Sequence, residues 1–232
     1  MRLEYNRSID ETFGFHRAST KPHKDRANAQ NRRNTMKKEQ RNHRKSKRNK
    51  TKPALVFRLD RIPTPVGQML IVQDQEQRIR ALDWEEYRDR MDKLFKRYYP
   101  NHDVTLTCGD GSGMILDALE RYVAGELHAI NDLKVETGGT AFQRSVWQML
   151  REIPCGKTWS YGELARRIGS PTASRAVGMA NGANPIGVVV PCHRVIGSDN
   201  KLTGYGGGLA RKRWLLMHEG VTVTEPRQLS LV

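Results

Sequence analysis

A break in composition near residue 53 constrains this chain more than any other feature. From Asn28 to Lys52 the chain is Asn, Arg, Lys and Gln with almost no apolar side chain, Met36 being the exception. Such a segment cannot bury enough surface to offset its ordering entropy, so residues 1–52 read as a disordered basic arm. Any folded core must come from the rest. The arm carries 17 Lys/Arg against 5 Asp/Glu, and the remainder 23 against 20. That excess attracts polyanions, with nucleic acid or an anionic membrane surface as candidates. Two readings of the arm stand side by side: it adds non-specific phosphate contacts, or it is a dispensable tail upstream of a later start at Met36.

The remaining length suits one or two small domains. No run of about eighteen apolar residues is present, which argues against a transmembrane helix, and the N-terminus lacks an apolar signal core. Three scattered cysteines, Cys108, Cys155 and Cys192, make neither a disulfide framework nor a CxxC metal spacing. That usage suits a reducing, cytoplasmic setting.

Ala54–Ile62 alternates apolar and polar residues, and Pro63–Gly67 follows as a turn. Met69–Val72 and Arg78–Trp84 read as two more strands, predicting a three-stranded antiparallel meander in a small α/β domain. Met91, Leu94 and Phe95 mark a helix over Tyr87–Tyr98, and Met114–Val123 is a further amphipathic helix. Thr107–Ser112, rich in Gly, reads as a loop. Further on, Thr140 is a good N-cap for a helix over Phe142–Arg151. Ser160 caps Tyr161–Ile168, where Glu163 predicts a capping box. Gly169–Thr172 is a turn, and a second helix runs from Ala173/Ser174 to about Ala180. Two short helices around such a turn suggest a helix-turn-helix. The second is unusually rich in Gly and Ala, which lowers helix stability but lets its backbone approach a neighbour closely, be it another helix or a DNA groove.

Gly187–Val190 reads as a buried β-branched strand that Pro191 terminates. Cys192 would then stand where regular pairing ends, with His193 beside it as a base able to make the thiolate, given a turn at Pro191. An unpaired cysteine is more often a small buried hydrophobe, and Cys108 and Cys155 are read that way.

Several spaced motifs change the weight of that pair. They are Ile153-Pro-Cys-Gly156, Ser160-Tyr-Gly-Glu-Leu-Ala165, Ser174-Arg-Ala-Val-Gly178 and Asn184-Pro185. Pro191-Cys-His-Arg-Val195, Gly204-Tyr-Gly-Gly-Gly208 and Trp214-Leu-Leu-Met-His-Glu-Gly220 follow in order. Together they resemble the 6-O-alkylguanine-DNA alkyltransferases of the bacterial stand-alone type, strongly over residues 137–220 and more weakly back to about residue 54.

The resemblance implies an α/β (α+β) chain with four parts. After the arm comes an N-terminal α/β domain over 53–136, ribonuclease-H-like. A winged helix-turn-helix-like catalytic domain over 137–224 and a tail over 225–232 complete it. It implies single-turnover transfer of an alkyl group from the 6-oxygen of guanine to Cys192, the protein being consumed. His193 would take the thiol proton through a water, and Glu219 would orient His193. Arg175 would enter the base stack after the lesion is flipped out, with Ala176, Gly178 and Ala180 on the helix face that enters the minor groove. Tyr161 would serve the phosphate and the flipped base. Tyr205, Gly206, Asn184 and the backbone of Val195 would shape the pocket, Asn184 structurally. Gly206 stands where some relatives have serine, Arg194 reads as scaffold and His218 as a helix-end residue. The implied partner is double-stranded DNA, bound by a monomer in the cytoplasm, with no cofactor and no metal. Cooperative loading and activity on alkylated thymine stay open. A lesion-binding protein without a nucleophile, a cysteine hydrolase using Cys192, His193 and Glu219, and a plain transcription factor are the alternatives.

Overall fold

Period-2 patterning from Ala54 onward builds the first sheet. β1 (Ala54–Thr64), β2 (Gly67–Gln73) and β3 (Ile79–Trp84) form the expected antiparallel meander, with Thr64 paired to Gly67 across the tight turn. β2 is buried on both faces, Met69 to Val72 having no exposed surface. A fourth strand corrects the three-stranded expectation: β4 (Asp103–Cys108) pairs parallel to β1, giving the order β3-β2-β1-β4. It is an edge strand on which only Val104 and Leu106 are partly buried, packed toward Phe57 and Phe95, and two inward residues are too short an alternation to mark a strand in the sequence. Between β3 and β4 runs α1 (Arg88–Tyr98), whose Met91, Leu94 and Phe95 are buried. Met91 and Phe95 pack with Phe57, Leu59, Leu70 and Val72 on one side of the sheet.

The other side of the sheet faces the helices. These are α2 (Met114–Val123), α3 (Ala141–Leu150), α4 (Tyr161–Arg167), α5 (Ser174–Gly182) and α6 (Leu209–His218). One core contains Leu82 and Trp84 of β3, Leu119 of α2, Trp147 of α3, Leu164 of α4, Val177 of α5 and Leu215 of α6. Residues on both sides of position 136 therefore share a single apolar interior, which fixes the helices against the sheet.

Capping follows the sequence at one helix and half-follows it at the next. Thr140 accepts from the Gln143 N–H, and the Gln143 side chain accepts from the Thr140 N–H, a full capping box. Ser160 accepts from the Glu163 N–H at 3.1 Å, but the return bond expected of Glu163 is not made. Its carboxylate is held by Arg167, 2.9 Å away on the next turn, where an ion pair competes with the backbone.

The expected strand at Gly187–Val190 is also corrected. Only Ile186 makes a bridge, to Leu82; the residues after it form tight turns, with Val189 N–H on Gly187 O and Cys192 N–H on Val190 O, both 2.7 Å. Val188 sits at φ 64°, a region that β-branched residues rarely adopt. Burial, not pairing, accounts for the apolar run, and hydrophobicity alone does not distinguish a buried strand from a buried turn. A two-stranded parallel pair, β5 (Trp159–Ser160) with β6 (Val195–Ile196), flanks this segment.

The computed structural model describes residues 35–38 and 52–223. Residues 35–38 form one exposed helical turn within a unit separate from residues 52–232. The rest of the expected basic arm, and all of the expected tail over 225–232, lie outside the described residues. No described helix is long and apolar enough to cross a membrane.

Candidate active site

Pro191 ends the buried turn, and the next three residues, Cys192, His193 and Arg194, form a single 3-10 turn with all three side chains buried. This is the turn that the Cys-His pair required. Cys192 is held through its backbone, its N–H on Val190 O and its carbonyl accepting from the Asn181 amide at 3.4 Å. Burial pushes the thiol above its usual range, while the Asn184 side chain and the charges of Arg90 and Lys212 pull the other way. At rest Cys192 is a thiol, so a nearby base must take its proton before it can attack.

His193, next in the chain, has one ring nitrogen committed and one without a partner. Its Nε2 lies 2.9 Å from Glu219 Oε1, and its Nδ1 is one of two buried side-chain polar atoms without a partner among the described residues. Glu219 is ionised. Burial works against its charge, but His193 and the Arg194 guanidinium outweigh that and hold it well below the carboxylate range. An ionised carboxylate only accepts, so Nε2 carries the imidazole proton and Nδ1 keeps the lone pair. Burial in turn holds His193 below its ordinary pKa despite Glu219, which keeps it neutral and able to accept.

Glu219 caps the C-terminus of α6, a position where a helix disfavours negative charge. Four side-chain donors offset that. Arg194 donates Nε to Oε2 and Nη2 to Oε1, His193 donates to Oε1, and the Tyr122 hydroxyl donates to Oε1 at 2.8 Å. Arg194 also holds Ile153 O at 2.6 Å. It is scaffold, as expected, but scaffold that positions Glu219. Tyr122 was missed, although its place on the buried stripe Ile115, Leu119, Tyr122 of α2 marks it as inward-facing. His218 stacks on Trp214 and its Nε2 lies 2.7 Å from Tyr122 O, so it reaches the same tyrosine and not the thiol.

Lys212 was missed too. It has no exposed surface, and its Nζ donates to Val195 O at 2.6 Å and Thr203 O at 2.7 Å. Burial lowers its pKa to about 8, and the nearby Cys192 opposes that shift. The carbonyl of Val195, expected to face the pocket, is thus occupied from behind. Lys212 lies three and four residues before Leu215 and Leu216, on the inward stripe of α6, and that spacing is the signal that finds it.

The Gly204–Gly208 loop closes over the site. Tyr205 is half-buried, its ring edge-on to His193 with centroids 6.4 Å apart. A side chain at Gly206 would come within 2.8 Å of the Arg90 guanidinium, and one at Gly207 within 2.5 Å of Trp84 Nε1. Both glycines are therefore set by close approach. Asn184 bridges backbone groups as expected: its Nδ2 donates to Val190 O and Ile186 O, and its Oδ1 accepts from the Ile186 N–H.

On the helix-turn-helix, Arg175 is exposed at the first turn of α5. Tyr161 opens α4; its ring lies beside Gly178, and its hydroxyl accepts from Thr203 at 3.3 Å. Ala176 and Gly178 are half-buried. Ala180 is a correction: it is 3 % exposed and faces the core, where its carbonyl accepts from the Trp147 indole. The outer face of α5 is instead Arg175, Met179 and Gly182, spaced as one helical stripe. Cys108 is exposed; Cys155 is half-buried near the Glu219 carboxylate and the Arg194 guanidinium, where burial and that carboxylate push its thiol up. Among the described residues no group of three or more His, Cys, Asp or Glu is placed to hold a metal ion.

Residues 141–221 match the family model for the DNA-binding domain of 6-O-methylguanine DNA methyltransferase. A methylated-DNA–protein-cysteine methyltransferase of Salmonella typhimurium is 52 % identical over 161 residues, covering 69 % of this chain and 94 % of its own length. The Haemophilus influenzae protein of that name is 42 % identical over 176 residues, covering 71 % and 91 %. Among solved structures, Mycobacterium tuberculosis OGT in complex with DNA is 40 % identical with a TM-score of 0.55, covering 71 % of this chain and 92 % of that one. The O6-methylguanine-DNA methyltransferase of Pyrococcus kodakaraensis is 25 % identical with a TM-score of 0.58, covering 71 % and 99 %.

Proposed function

Because this chain belongs to the methylated-DNA–protein-cysteine methyltransferases, we propose that Cys192 is the residue on which it accepts the alkyl group, with His193 as base and Glu219 as the group that orients it. The chain repairs DNA by moving a methyl group from the 6-oxygen of guanine onto its own cysteine. The observation that carries the residue assignment is the buried, unpartnered Nδ1 of His193, next in the chain to a thiol whose proton must leave.

In the reaction the Cys192 proton passes through a water to His193 Nδ1 as the sulfur attacks the alkyl carbon. A sulfur–carbon bond forms, the carbon–oxygen bond breaks, and the electron pair goes to guanine, which takes up a proton. The product is a thioether, a bond that thiol exchange does not reverse, so each molecule acts once. Asn184, Arg90 and Lys212 favour the developing thiolate, while Glu219 stabilises the imidazolium.

The alkylated oxygen lies on the pairing edge of guanine, out of reach of a thiol inside a stacked duplex. The nucleotide leaves the stack, at about a few kcal/mol, and enters the pocket under Tyr205. Arg175, exposed at the start of α5, fills the gap it leaves, with α5 in the minor groove and Tyr161 beside it. The protein acts as a monomer in the cytoplasm.

Intact-mass measurement after incubation with DNA containing one methylated guanine tests this. One added methyl per protein, located on Cys192 and absent in Cys192→Ala, is the expected result. Release of product over many turnovers would instead support a hydrolase, and no mass change with retained binding would support a lesion-binding protein.

A further inference from the structure

Apart from Arg90, the residues lining a groove of about 590 Å³ between α1 and α5 have no part in the chemistry above. Met179 and Gly182 of α5 wall one side; Arg90, Lys93 and Arg97 wall the other. The three cations recur at spacings of three and four on α1, so they share one helical stripe. Arg90 is committed to structure. Its guanidinium joins the Asp83 carboxylate to Gly182 O at 3.0 Å and Asn184 O at 2.9 Å, and the Tyr98 hydroxyl donates to Ala183 O at 2.7 Å. These carbonyls end a helix and lack partners within it, so α1 is fastened to α5 by bonds that α5 needs. The stripe therefore holds a fixed place beside the second helix of the helix-turn-helix.

Lys93 and Arg97 are exposed, and neither is ion-paired among the described residues. Two carboxylates also line the groove: Glu86 is already held by Arg211 at 2.7 Å, and Asp89 is exposed four residues before Lys93, so the three cations of the stripe outnumber the one carboxylate that Arg211 does not hold. Met179 and Gly182 belong both to this groove and to the outer stripe of α5 that Arg175 begins. The cationic wall thus continues the face assigned to DNA.

We propose that the groove is a track for the DNA sugar–phosphate backbone, in which Lys93 and Arg97 each neutralise a phosphate and Met179 packs against sugar. The first half of the fold thereby takes part in DNA binding. This rests on the placement of α5 against the duplex, and the test separates the two. Duplex binding is measured against salt for Lys93→Ala/Arg97→Ala and for Arg175→Ala, alongside alkyl transfer from free O6-methylguanine base. Removal of two phosphate contacts should flatten the slope of log K against log salt by about 1.8 and weaken binding to all sequences alike. Transfer from the free base should be unchanged. An unaltered slope in the double variant overturns the groove while a weakened Arg175→Ala leaves α5 on the DNA. Unaltered duplex binding in both variants overturns both. Equal losses on free base and duplex in the double variant would make the stripe structural and overturn the proposal.

Discussion

Arg194 grips Glu219 by both carboxylate oxygens, its Nε 2.8 Å from Oε2 and its Nη2 2.9 Å from Oε1. The pair is almost wholly buried, with side-chain exposures of 7 % and 0 %. The cation next in sequence to His193 thus helps to hold the charge and angle of the carboxylate that His193 meets. Arg194→Met leaves Glu219 charged and buried without its main partner, a loss of about 3–5 kcal/mol. Urea unfolding should show it. Arg194→Lys, which lacks the two-pronged geometry, should recover only part of that stability and of the transfer rate.

Acid should destabilise the protein in two stages. His193 has a folded pKa below its ordinary 6.5, so the unfolded chain binds the proton first and stability falls as pH drops below about 6.5. Glu219 has a folded pKa below its ordinary 4.5, so its contribution is present above that value and is lost as pH falls through the folded one. Glu219→Gln should remove the second stage. The transfer rate should be flat through neutrality and fall only on the acid side of 6.5, where His193 takes a proton and can no longer accept one. A rate that falls already at pH 7.5 would contradict a buried neutral imidazole.

Lys212→Met keeps volume but strips the donors from Val195 O and Thr203 O. Transfer should slow equally on free base and on duplex, because the tether shapes the pocket and not the DNA surface. Arg175→Ala should instead slow the duplex reaction far more than the free-base reaction. Wild-type stability should rise between pH 8 and 10.5, where the unfolded lysine keeps a proton that the buried one gives up. The methionine variant should lose that rise.

Val188 and Val190 are both about 1 % exposed, yet only Val188 has a positive φ. Glycine at either position removes the same buried side chain, but at Val188 it also relieves backbone strain of about 1–3 kcal/mol. Val188→Gly should therefore cost less stability than Val190→Gly by about that amount, as measured by denaturant midpoint. Equal losses would show that the turn is unstrained.

The local elements were legible because their signals are local. The stripe Met91, Leu94, Phe95, the caps Thr140 and Ser160, and the turn at Gly169 each express a helix preference within a few residues. β4 and the turn at Gly187–Val190 were not, because an edge strand is recruited by its partner and a buried apolar run suits either geometry. The motif at Pro191–Val195 singled out the Cys192–His193 pair, which the structure buries in one turn, and the order of motifs along the chain identified the family.

Sequence by itself determined where a core could form, which cysteine stood beside a base and which residues began and ended the helices. Tertiary structure alone decided how that chemistry is supported. Tyr122 meets Glu219 across 97 positions, Arg90 meets Asn184 across 94, and Lys212 meets Val195 across 17. Helical spacing marks Tyr122 and Lys212 as inward-facing, but the partner that each meets at such separation leaves no signal in the chain, since the contact arises only when the sheet and the helices close on one core. The same closure takes Ala180 off the outer face of α5 and puts Met179 there: a short helix shows its composition in sequence, but which side meets solvent depends on what packs against it.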